Sequence, residues 1–367
     1  MYIHESDTWP EFIWREKDLA DTLARVRHQQ GRLVGKMEAL GFDLRREATL
    51  NMLTEDVLKS SEIEGEVLDK DQVRSSIARR LGMDIAGLVP TERHVEGIVE
   101  MMLDATQQYE EPLTADRLFG WHAALFPTGR SGMLKITVAD WRKDEEGPMQ
   151  VVSGPIGKEK VHYEAPAANL LPQEMGQFLG WFNALSEGDP VMSSAISHLW
   201  FVTIHPFDDG NGRIARAVAD MGLARSDQSK QRFYSMSAQI RKERKAYYDI
   251  LEATQKGDSD ITDWLLWFLA CLERAIQGAE ETLSSVLYKA NFWDAHKDTL
   301  INHRQQKIIN LLLGVFEGHL TSSKWAKLTK CSQDTALRDI NDLVEKDVLE
   351  KGKSSGRSTH YVLRSVQ

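Results

Sequence analysis

Cysteine is scarce in this sequence: its 367 residues include only two, Cys271 and Cys331. Both lie in stretches where apolar residues recur at helical spacing, which predicts reduced and partly buried thiols. We therefore expect neither a disulfide framework nor a cysteine metal site.

Long hydrophobic runs are also missing. The longest, Trp264 to Leu272, has nine residues and is too short to cross a bilayer. The opening stretch "MYIHESDTWPEF" has no basic region followed by an apolar one, so it does not look like a secretion signal. We expect a cytoplasmic protein that does not associate with membranes.

There is no excess of positive charge. Lys and Arg number 45 against 55 Asp and Glu, a net charge of -10, so the chain as a whole is not built to bind nucleic acid. Hydrophobic residues make up 42% and charged residues 27%, which is ordinary for a globular protein. The length predicts two or three domains.

What the sequence does have is helical periodicity, which predicts a mainly α fold. In the N-terminal third, apolar residues at spacings of three, four and seven end before Gly41: Leu19, Leu23, Val26, Leu33, Met37 and Leu40. Similar patterns recur near Leu53 and Ile77. We therefore predict an N-terminal helical domain over residues 1–91.

A second domain is predicted over residues 92–290. Its helical pattern breaks at residues 140–166, where glycines and alternation around Val151 and Val161 predict a β-hairpin. A helix then runs into His205, and another begins near Ile214. The stretch "HPFDDGNGR", residues 205–213, is therefore predicted to be a loop between two helices.

The last sixty residues change character. After a linker near residues 290–304, three helical stretches are followed by strand, turn and strand, the order of a winged helix, and we predict such a domain over residues 305–367. Lys351, Lys353 and Arg357 in the wing could meet phosphates, but the third helix is acidic. We favour a protein-interaction or dimer role over DNA binding.

The residues of the loop suit phosphate chemistry. Gly210 and Gly212 allow a sharp turn at a helix start, where free backbone N–H groups favour an anion. Arg213 and Arg216 share a helix face and could flank a phosphate chain. The spacing matches neither a P-loop nor the H-E-x-x-H metal motif.

Two further side chains complete this set. Asp209 is a hard oxygen ligand, and a polyphosphate normally brings Mg²⁺. A neutral His205 could take a proton from a hydroxyl that attacks phosphorus. Together these residues indicate transfer of a nucleotide or phosphoryl group to an alcohol.

The stretch "HPFDDGNGRIAR", residues 205–216, resembles the Fic signature, His-x-Phe-x-Asp/Glu-Gly-Asn-Gly-Arg-x-x-Arg, at every fixed position. The resemblance implies a helical Fic core with a small β-hairpin flap. It also implies AMPylation, in which AMP passes from ATP to a Ser, Thr or Tyr hydroxyl of a target protein, self-modification included.

The resemblance assigns a role to each residue of the signature. His205 would be the catalytic base, Asp209 would hold Mg²⁺, and Phe207 would anchor the loop. The phosphates of ATP would be held by the rest: Gly210, Asn211, Gly212, Arg213 and Arg216.

Two other stretches resemble parts of this family. "QVVSG", residues 150–154, resembles the flap that positions the target, through Val152, Ser153 and Gly154. "RKAYYDILEATQ", residues 244–255, resembles the segment that holds adenine, with Tyr247 on the base and Gln255 near it. Core packing is the alternative interpretation for Tyr247 and Tyr248.

"SSEIEGE", residues 60–66, resembles the inhibitory motif Ser/Thr-x-x-x-Glu-Gly/Asn of autoinhibited members, with Ser60, Glu64 and Gly65 at its fixed positions. A Glu64 carboxylate paired with Arg216 would occupy the fork that should receive the γ-phosphate. The alternative is an exposed glutamate at a helix end.

Three functions stand on the sequence alone. We favour an autoinhibited AMP transferase, and the resemblance implies a homodimer. A DNA-binding regulator whose core senses nucleotide is a second possibility. The third keeps the fold but removes AMP from a modified protein, or transfers another nucleotide.

Overall fold

The computed structural model describes residues 1–38, 40–83, 87–145, 147–155, 157–184, 188–313, 316, 318–352 and 359–364. The predicted mainly α fold is confirmed, since helices dominate and the sheets have two strands each. None of the helices in the described ranges is long and apolar enough to cross a membrane.

The chain divides into two compact units, residues 1–279 and 280–367. The described residues of the first unit form these complete α-helices in chain order: α1 (Glu16–Glu38), α2 (Phe42–Ile63), α3 (Lys70–Arg80), α4 (Arg93–Gln107), α5 (Ala115–Leu125), α6 (Leu171–Asn183), α7 (Pro190–Ile204), α8 (Asn211–Asp227), α9 (Met236–Lys242) and α10 (Arg244–Gln255). The division falls inside the next helix, α11 (Thr262–Ala295). The predicted linker near residues 290–304 thus begins within a helix.

The centre of the first unit is the packing of α7 against α8. Helix α7 is apolar on all sides, and every residue from Val191 to Ile204 except Ser193 is buried, as expected of a helix without a polar face. Asp189 begins it, because its side chain accepts a hydrogen bond from the Val191 N–H (2.8 Å). Residues 205–210 join the C-terminal end of α7 to the N-terminal end of α8.

Helix α2 lies against α9, α3, α4 and α8, so its C-terminal end reaches the start of α8. It ends at Ile63, where Glu64 is the cap residue and Gly65 follows with a φ of 85°. That left-handed conformation suits glycine and turns the chain sharply away from the helix axis. The Ile63 carbonyl accepts a hydrogen bond from Arg244 Nε (2.7 Å).

Two small hairpins also belong to this unit. One pairs β1 (Arg130–Ser131) with β2 (Leu134–Lys135). The β-hairpin predicted for the flap is confirmed as the second, in which β3 (Gln150–Ser153) pairs antiparallel with β4 (Lys160–Glu164). Its role in positioning a target stays a prediction. Its register shifts between Val151 and Val152, which is the mark of a bulge.

The second unit contains α12 (His303–Leu312), α13 (Ser322–Thr329), α14 (Gln333–Glu345), β5 (Leu349–Lys351) and β6 (Tyr361–Leu363). Trp325, Ile340 and Leu349 are among its buried core residues, and β5 pairs antiparallel with β6. The predicted order of three helices and a hairpin is therefore present. The winged-helix assignment stays a prediction, and Lys353 and Arg357 lie outside the described residues.

Gly97 offers a test of how tightly α4 and α5 pack. A Cβ atom at Gly97 would lie 1.9 Å from the backbone oxygen of Ala124, so the two helices would have to separate. We expect Gly97→Ala to lower the free energy of unfolding by about 1–3 kcal/mol, as overpacking does. Urea denaturation measures the change.

Gly120, on α5, is the matched control because a Cβ there meets no heavy atom within 4 Å. Gly120→Ala should leave stability unchanged or raise it by up to about 1 kcal/mol, since alanine favours helix. Equal destabilisation by both variants would contradict the close approach of α4 and α5.

Candidate active site

The loop between α7 and α8 is anchored by Phe207. Its ring is fully buried and stacks on His122 with centroids 4.2 Å apart, with Trp141 and Phe201 beside it. Burial lowers the pKa of His122 to about 4, so this ring is neutral at pH 7. Phe207 is therefore buried among aromatic rings, as expected of a residue that anchors the loop.

Asn211 closes the loop on itself. Its Oδ1 accepts the Phe207 N–H (2.9 Å) and its Nδ2 donates to the Phe207 carbonyl (2.7 Å). Only 2% of the residue is exposed, so its side chain is committed to the loop. Of the groups of Asn211, only the backbone N–H then remains for the phosphate contact that the sequence predicted.

His205 is the residue that caps α7, and its backbone is left-handed with a φ of 52°. Its Nδ1–H donates to the Val202 carbonyl (3.1 Å), so Nε2 is the unprotonated nitrogen of the neutral ring. Arg142 fixes the adjoining backbone, since its Nε donates to the His205 carbonyl (2.8 Å).

The imidazole of His205 is a neutral base at pH 7. Burial is the largest cause that lowers its pKa to about 4, and the nearby Arg142 guanidinium lowers it further. The hydrogen bond to Val202 acts in the opposite direction and is outweighed. A ring in this form can accept a proton without first losing one.

Asp209 lies where the loop turns into α8. Its Oδ1 accepts the Gly210 N–H (2.6 Å), and its Oδ2 accepts a hydrogen bond from the Ser131 hydroxyl on β1. No group of three or more metal-ligating side chains is found in the described part of the chain. A single carboxylate fits Mg²⁺, which takes one or two carboxylates and completes its shell with phosphates and water.

Arg216 is buried, with 2% of the residue exposed, and three contacts from the end of α2 hold it. Its Nε donates to Ser60 Oγ (3.0 Å) and one terminal nitrogen donates to the Ser60 carbonyl (2.9 Å). The other terminal nitrogen lies 2.8 Å from Glu64 Oε1. The structure thus brings Ser60 and Glu64 onto the second arginine of the signature.

The Glu64 carboxylate also lies against the backbone of Gly212. A Cβ atom there would be 2.3 Å from Glu64 Oε1, so only glycine allows this approach. The same turn carries the free N–H groups at the start of α8, where an anion is favoured. Glu64 therefore occupies the place that the sequence predicted for a phosphate.

The first arginine of the signature has a carboxylate partner as well. Arg213 donates to Glu66 Oε2 (2.9 Å), and Glu66 Oε1 is hydrogen-bonded to His94 Nε2. Sequence reasoning missed Glu66 and His94. The only signal was the second glutamate of "EGE", and nothing in the sequence relates it to residues 94 and 213.

A cavity of about 470 Å³ opens beside His205, between the flap and α10. Tyr247 is 1% exposed, and its hydroxyl is hydrogen-bonded to His198 Nε2 (2.9 Å) in the core. Tyr248 is the more accessible of the two, and its hydroxyl lies 3.5 Å from Glu64 Oε2. Gln255 also lines the cavity and donates to Thr203 Oγ1 (3.3 Å).

The flap is tied to α10 at the edge of this cavity. Ser153 Oγ lies 2.6 Å from His162 Nε2, and His162 Nδ1 lies 2.5 Å from Glu252 Oε2. Val152 is 47% exposed. Strand β3 pairs with β4 along one edge, and no strand of the described residues pairs with its other edge. Gly154 follows β3 with a φ of 106°.

Comparison with known proteins agrees with this geometry. Residues 112–223, which include the loop and most of α8, match the model of the Fic/DOC family. The chain contains a Fic domain. Residues 2–83, which include α1, α2 and the Glu64 turn, match a second model, described as a domain of unknown function (DUF4172).

Relatives of the Fic domain differ in the nucleotide they are named for. A protein adenylyltransferase Fic from Culex quinquefasciatus is 34% identical over 104 residues, 28% of this chain and 19% of that protein. A uridine 5'-monophosphate transferase from Xanthomonas campestris is 31% identical over 124 residues, 31% of this chain and 21% of that protein. The chain thus spans about a fifth of the length of these relatives.

A solved structure extends the likeness beyond the Fic domain. A Fic family protein from Desulfovibrio desulfuricans covers 98% of this chain and 98% of its own, with a TM-score of 0.53 and 20% identity. At 20% identity this similarity supports a shared fold and carries no conclusion about function.

The ionisation of His205 can be measured directly. We expect its imidazole resonance in a ¹³C-histidine spectrum to titrate near pH 4, because burial and Arg142 disfavour the charged ring. His205→Ala identifies the signal by its loss. A midpoint at the ordinary value of about 6.5 would contradict the proposed desolvation.

Proposed function

We propose that the protein transfers AMP from ATP to a hydroxyl group of a target protein, and that Glu64 restrains this reaction. The observation that carries the proposal is the position of one carboxylate. Glu64 Oε1 lies 2.8 Å from Arg216 and against Gly212, two of the groups expected to hold the phosphates.

The residues of the site supply each part of the reaction. The neutral His205 Nε2 would take the proton as the target oxygen attacks the α-phosphorus. The bond from that phosphorus to the oxygen bridging the α- and β-phosphates then breaks, and diphosphate leaves. Asp209 would hold Mg²⁺, which, when bound, neutralises charge on the phosphate oxygens.

Positioning explains why the pair of Glu64 and Arg216 would inhibit. A phosphate would have to displace the Glu64 carboxylate from the terminal nitrogen it occupies on Arg216, because two anions at one nitrogen repel. ATP bound without this contact would not present its α-phosphorus in line with the incoming oxygen, and misplacement by about 1 Å costs about a hundredfold in rate.

The flap and the cavity have matching roles in this proposal. The free edge of β3 could pair with an extended target segment, which would place its hydroxyl near His205. The nucleoside would enter the cavity between the flap and α10. Tyr248, as the accessible ring of the pair, suits stacking on the base, while the buried Tyr247 supports it from below.

The choice of nucleotide rests on the relatives. The relatives that are named adenylyltransferases support ATP as the substrate of this chain. The relative named a uridine 5'-monophosphate transferase supports a different nucleotide. Removal of AMP from a modified protein, with Glu64 positioning water, is the alternative on the same site.

Glu64→Gly should raise transfer of label from α-labelled ATP to protein by about tenfold or more, because a charged hydrogen bond of about 1.5–3 kcal/mol no longer competes. His205→Ala in that background should lower transfer by about a hundredfold or more. Scintillation counting of gel-separated protein measures both changes.

Glu62→Gln is the control. Glu62 lies on the same helix but pairs with Lys59 (2.6 Å) and Arg241 (3.4 Å), away from the signature arginines. It should behave like the parent. If Glu64→Gly and the parent transfer equally, the inhibitory role is wrong. Label lost from a pre-modified protein would support the reverse reaction instead.

A second candidate function concerns residues 280–367. The acidic residues of α14 argue against DNA binding, but two of its carboxylates form ion pairs with basic side chains of the same unit. Asp339 pairs with Arg304 (2.8 Å), and Asp342 pairs with Lys346 (2.7 Å). The exposed side chains of α14 are then of both charges and include amides: Gln333, Asp334, Leu337, Arg338, Asn341 and Glu345. Arg338 and the amides of Gln333 and Asn341 are the groups on this face that could contact base edges.

Under this second candidate function, the full chain would bind duplex DNA with an affinity that falls as salt rises. Arg338→Gln should weaken binding by about tenfold, as loss of one base or phosphate contact does. Lys297→Gln, outside α12 to α14, is the control. Fluorescence anisotropy that shows no salt-dependent binding would favour the protein-interaction role for these residues.

A further inference from the structure

The polar contacts between α2 and α8 recur at each helical turn. Counted from the Glu64 turn, they join Glu64 with Gly212, Ser60 with Arg216 and Asp56 with Asp220. Successive members are four residues apart in each chain segment, about one turn, and the numbers fall along α2 as they rise along α8. The two helices therefore run antiparallel along this contact, and Asp56 lies on the face of α2 that leads to Glu64.

The contact farthest from the active site joins two buried carboxyl groups, Asp56 and Asp220, which we call the carboxyl pair. Asp56 is 5% exposed and Asp220 is 1% exposed, and the two groups are hydrogen-bonded to each other. Ionised carboxylates only accept hydrogen bonds and repel one another, so this bond requires a proton on one of them. Without that proton, Asp220 Oδ2 has no hydrogen-bond partner among the described residues.

One arginine faces the carboxyl pair. Arg232, between α8 and α9, is 3% exposed and donates to Asp220 Oδ1 (2.6 Å) and to the Asp220 carbonyl (3.1 Å). At the start of α9, the Ser235 hydroxyl and the Ser237 N–H (3.4 Å) donate to Asp56 Oδ1. One guanidinium balances one carboxylate, so a second ionised carboxylate would leave an uncompensated charge in a buried place.

Other titratable groups surround Arg232 on the side away from α2. Asp227, the last residue of α8, accepts a hydrogen bond from the Tyr234 hydroxyl (2.9 Å). Arg27 of α1 also acts on Asp227 and lowers its pKa, although burial, the largest cause, raises it. These groups reach the carboxyl pair only through Arg232.

The remaining helices that pack on α8 present neutral groups to it. His198 of α7 lies beside Arg216, and burial lowers its pKa to about 3. His122 of α5, with a pKa of about 4, lies by the loop at the other end of α8. The buried residues of α4 carry no titratable side chain within its described length, Arg93–Gln107. The charge on the carboxyl pair is therefore set by its own proton and by Arg232.

The carboxyl pair holds one proton at pH 7. Burial is the largest cause that raises the pKa of Asp220, to about 8; Asp56 raises it further, and Arg232 lowers it. If α2 moved away and water entered, this pKa would fall toward its ordinary value of about 4. The contact is therefore strongest below about pH 4, and it loses this stabilisation as the pH rises to about 8.

We propose that the shared proton of the carboxyl pair fastens α2 to α8, and that its loss weakens the hold of Glu64 on Arg216. The inference rests on the proposed function, in which Glu64 restrains nucleotide transfer. Repulsion between two ionised carboxylates loosens α2, and Glu64 follows Asp56 along the same face two turns later. Asp56 and Asp220 are thus positioning residues, which act on the reaction through Glu64.

The pH dependence of the restraint tests this proposal. The restraint is measured as the ratio of label transferred by Glu64→Gly to label transferred by the parent, which cancels effects of pH on the chemistry itself. We expect the ratio to fall by about tenfold between about pH 6 and about pH 8 and then to level off, since one proton gives at most about tenfold per pH unit.

Asp56→Asn is the informative variant, because its amide N–H replaces the shared proton at every pH. Measured with and without Glu64→Gly, it should keep at about pH 8 the ratio that the parent shows at about pH 6. Asp227→Asn is the matched control: it is buried on the same helix but bonded to Tyr234 and Gln30, and it should keep the pH dependence of the parent.

A parent ratio that does not change with pH would overturn the proposal, as would an equal change in Asp56→Asn. Thermal unfolding shows whether each variant is folded. If Asp56→Asn is not, Asp220→Asn takes its place, because an amide on either helix supplies the same hydrogen bond.

Two measurements without turnover separate this inference from the proposed transferase. A carboxyl resonance in a ¹³C-aspartate spectrum should titrate near pH 8 in the parent and be missing from Asp56→Asn and Asp220→Asn. The urea midpoint of the parent should fall between about pH 6 and about pH 8 more than that of Asp56→Asn. Both results support the fastening of α2 even if no label is transferred from ATP, and their absence overturns it. If label is transferred but the ratio is independent of pH, the carboxyl pair does not control Glu64, and the transferase stands.

Discussion

The buried guanidinium of Arg216 is the constraint on which the rest of the site depends. Arginine cannot lose its charge in a protein, and a charge with 2% exposure needs an anion beside it. The Glu64 carboxylate, just beyond the end of α2, lies 2.8 Å from this guanidinium, and under the proposed function a phosphate of ATP would compete for the same position. The proposed restraint on nucleotide transfer follows from that competition.

The same principle organises the loop around Arg216. The Asn211 side chain is hydrogen-bonded to the Phe207 backbone, and the Arg142 side chain is hydrogen-bonded to the His205 backbone. These bonds fix the shape of the loop without a ligand. Gly212 leaves the approach to the helix start open. Rigid donors aimed at one point cost little reorganisation when charge arrives.

Periodicity and one motif predicted most of what the structure contains. The central helices, the flap and the loop follow from apolar spacing and from glycines, because local sequence determines those features. The pairing of Glu64 with Arg216 was predicted only because a motif linked residues far apart in the chain. Glu66 and His94 carry no such motif, and their contact with Arg213 depends on how α2 and α4 pack against α8, which spacing does not reveal. Tyr247 and Tyr248 both line the cavity and differ by one helical step, about 100°, so a short apolar pattern did not decide which ring is the more accessible.

The attachment of Ser60 to Arg216 has a consequence for any activating signal. Two of the three contacts on the guanidinium come from Ser60, inside the last turn of α2, and one comes from Glu64, beyond the helix end. A signal that expelled the whole helix would remove the carboxylate and also leave the arginine without its support. In the proposed function, the end of α2 therefore supports Arg216 and also leads into the carboxylate that competes with the phosphate. A rotation about the turn at Gly65, with α2 in its place, would withdraw Glu64 and keep both Ser60 contacts on the guanidinium.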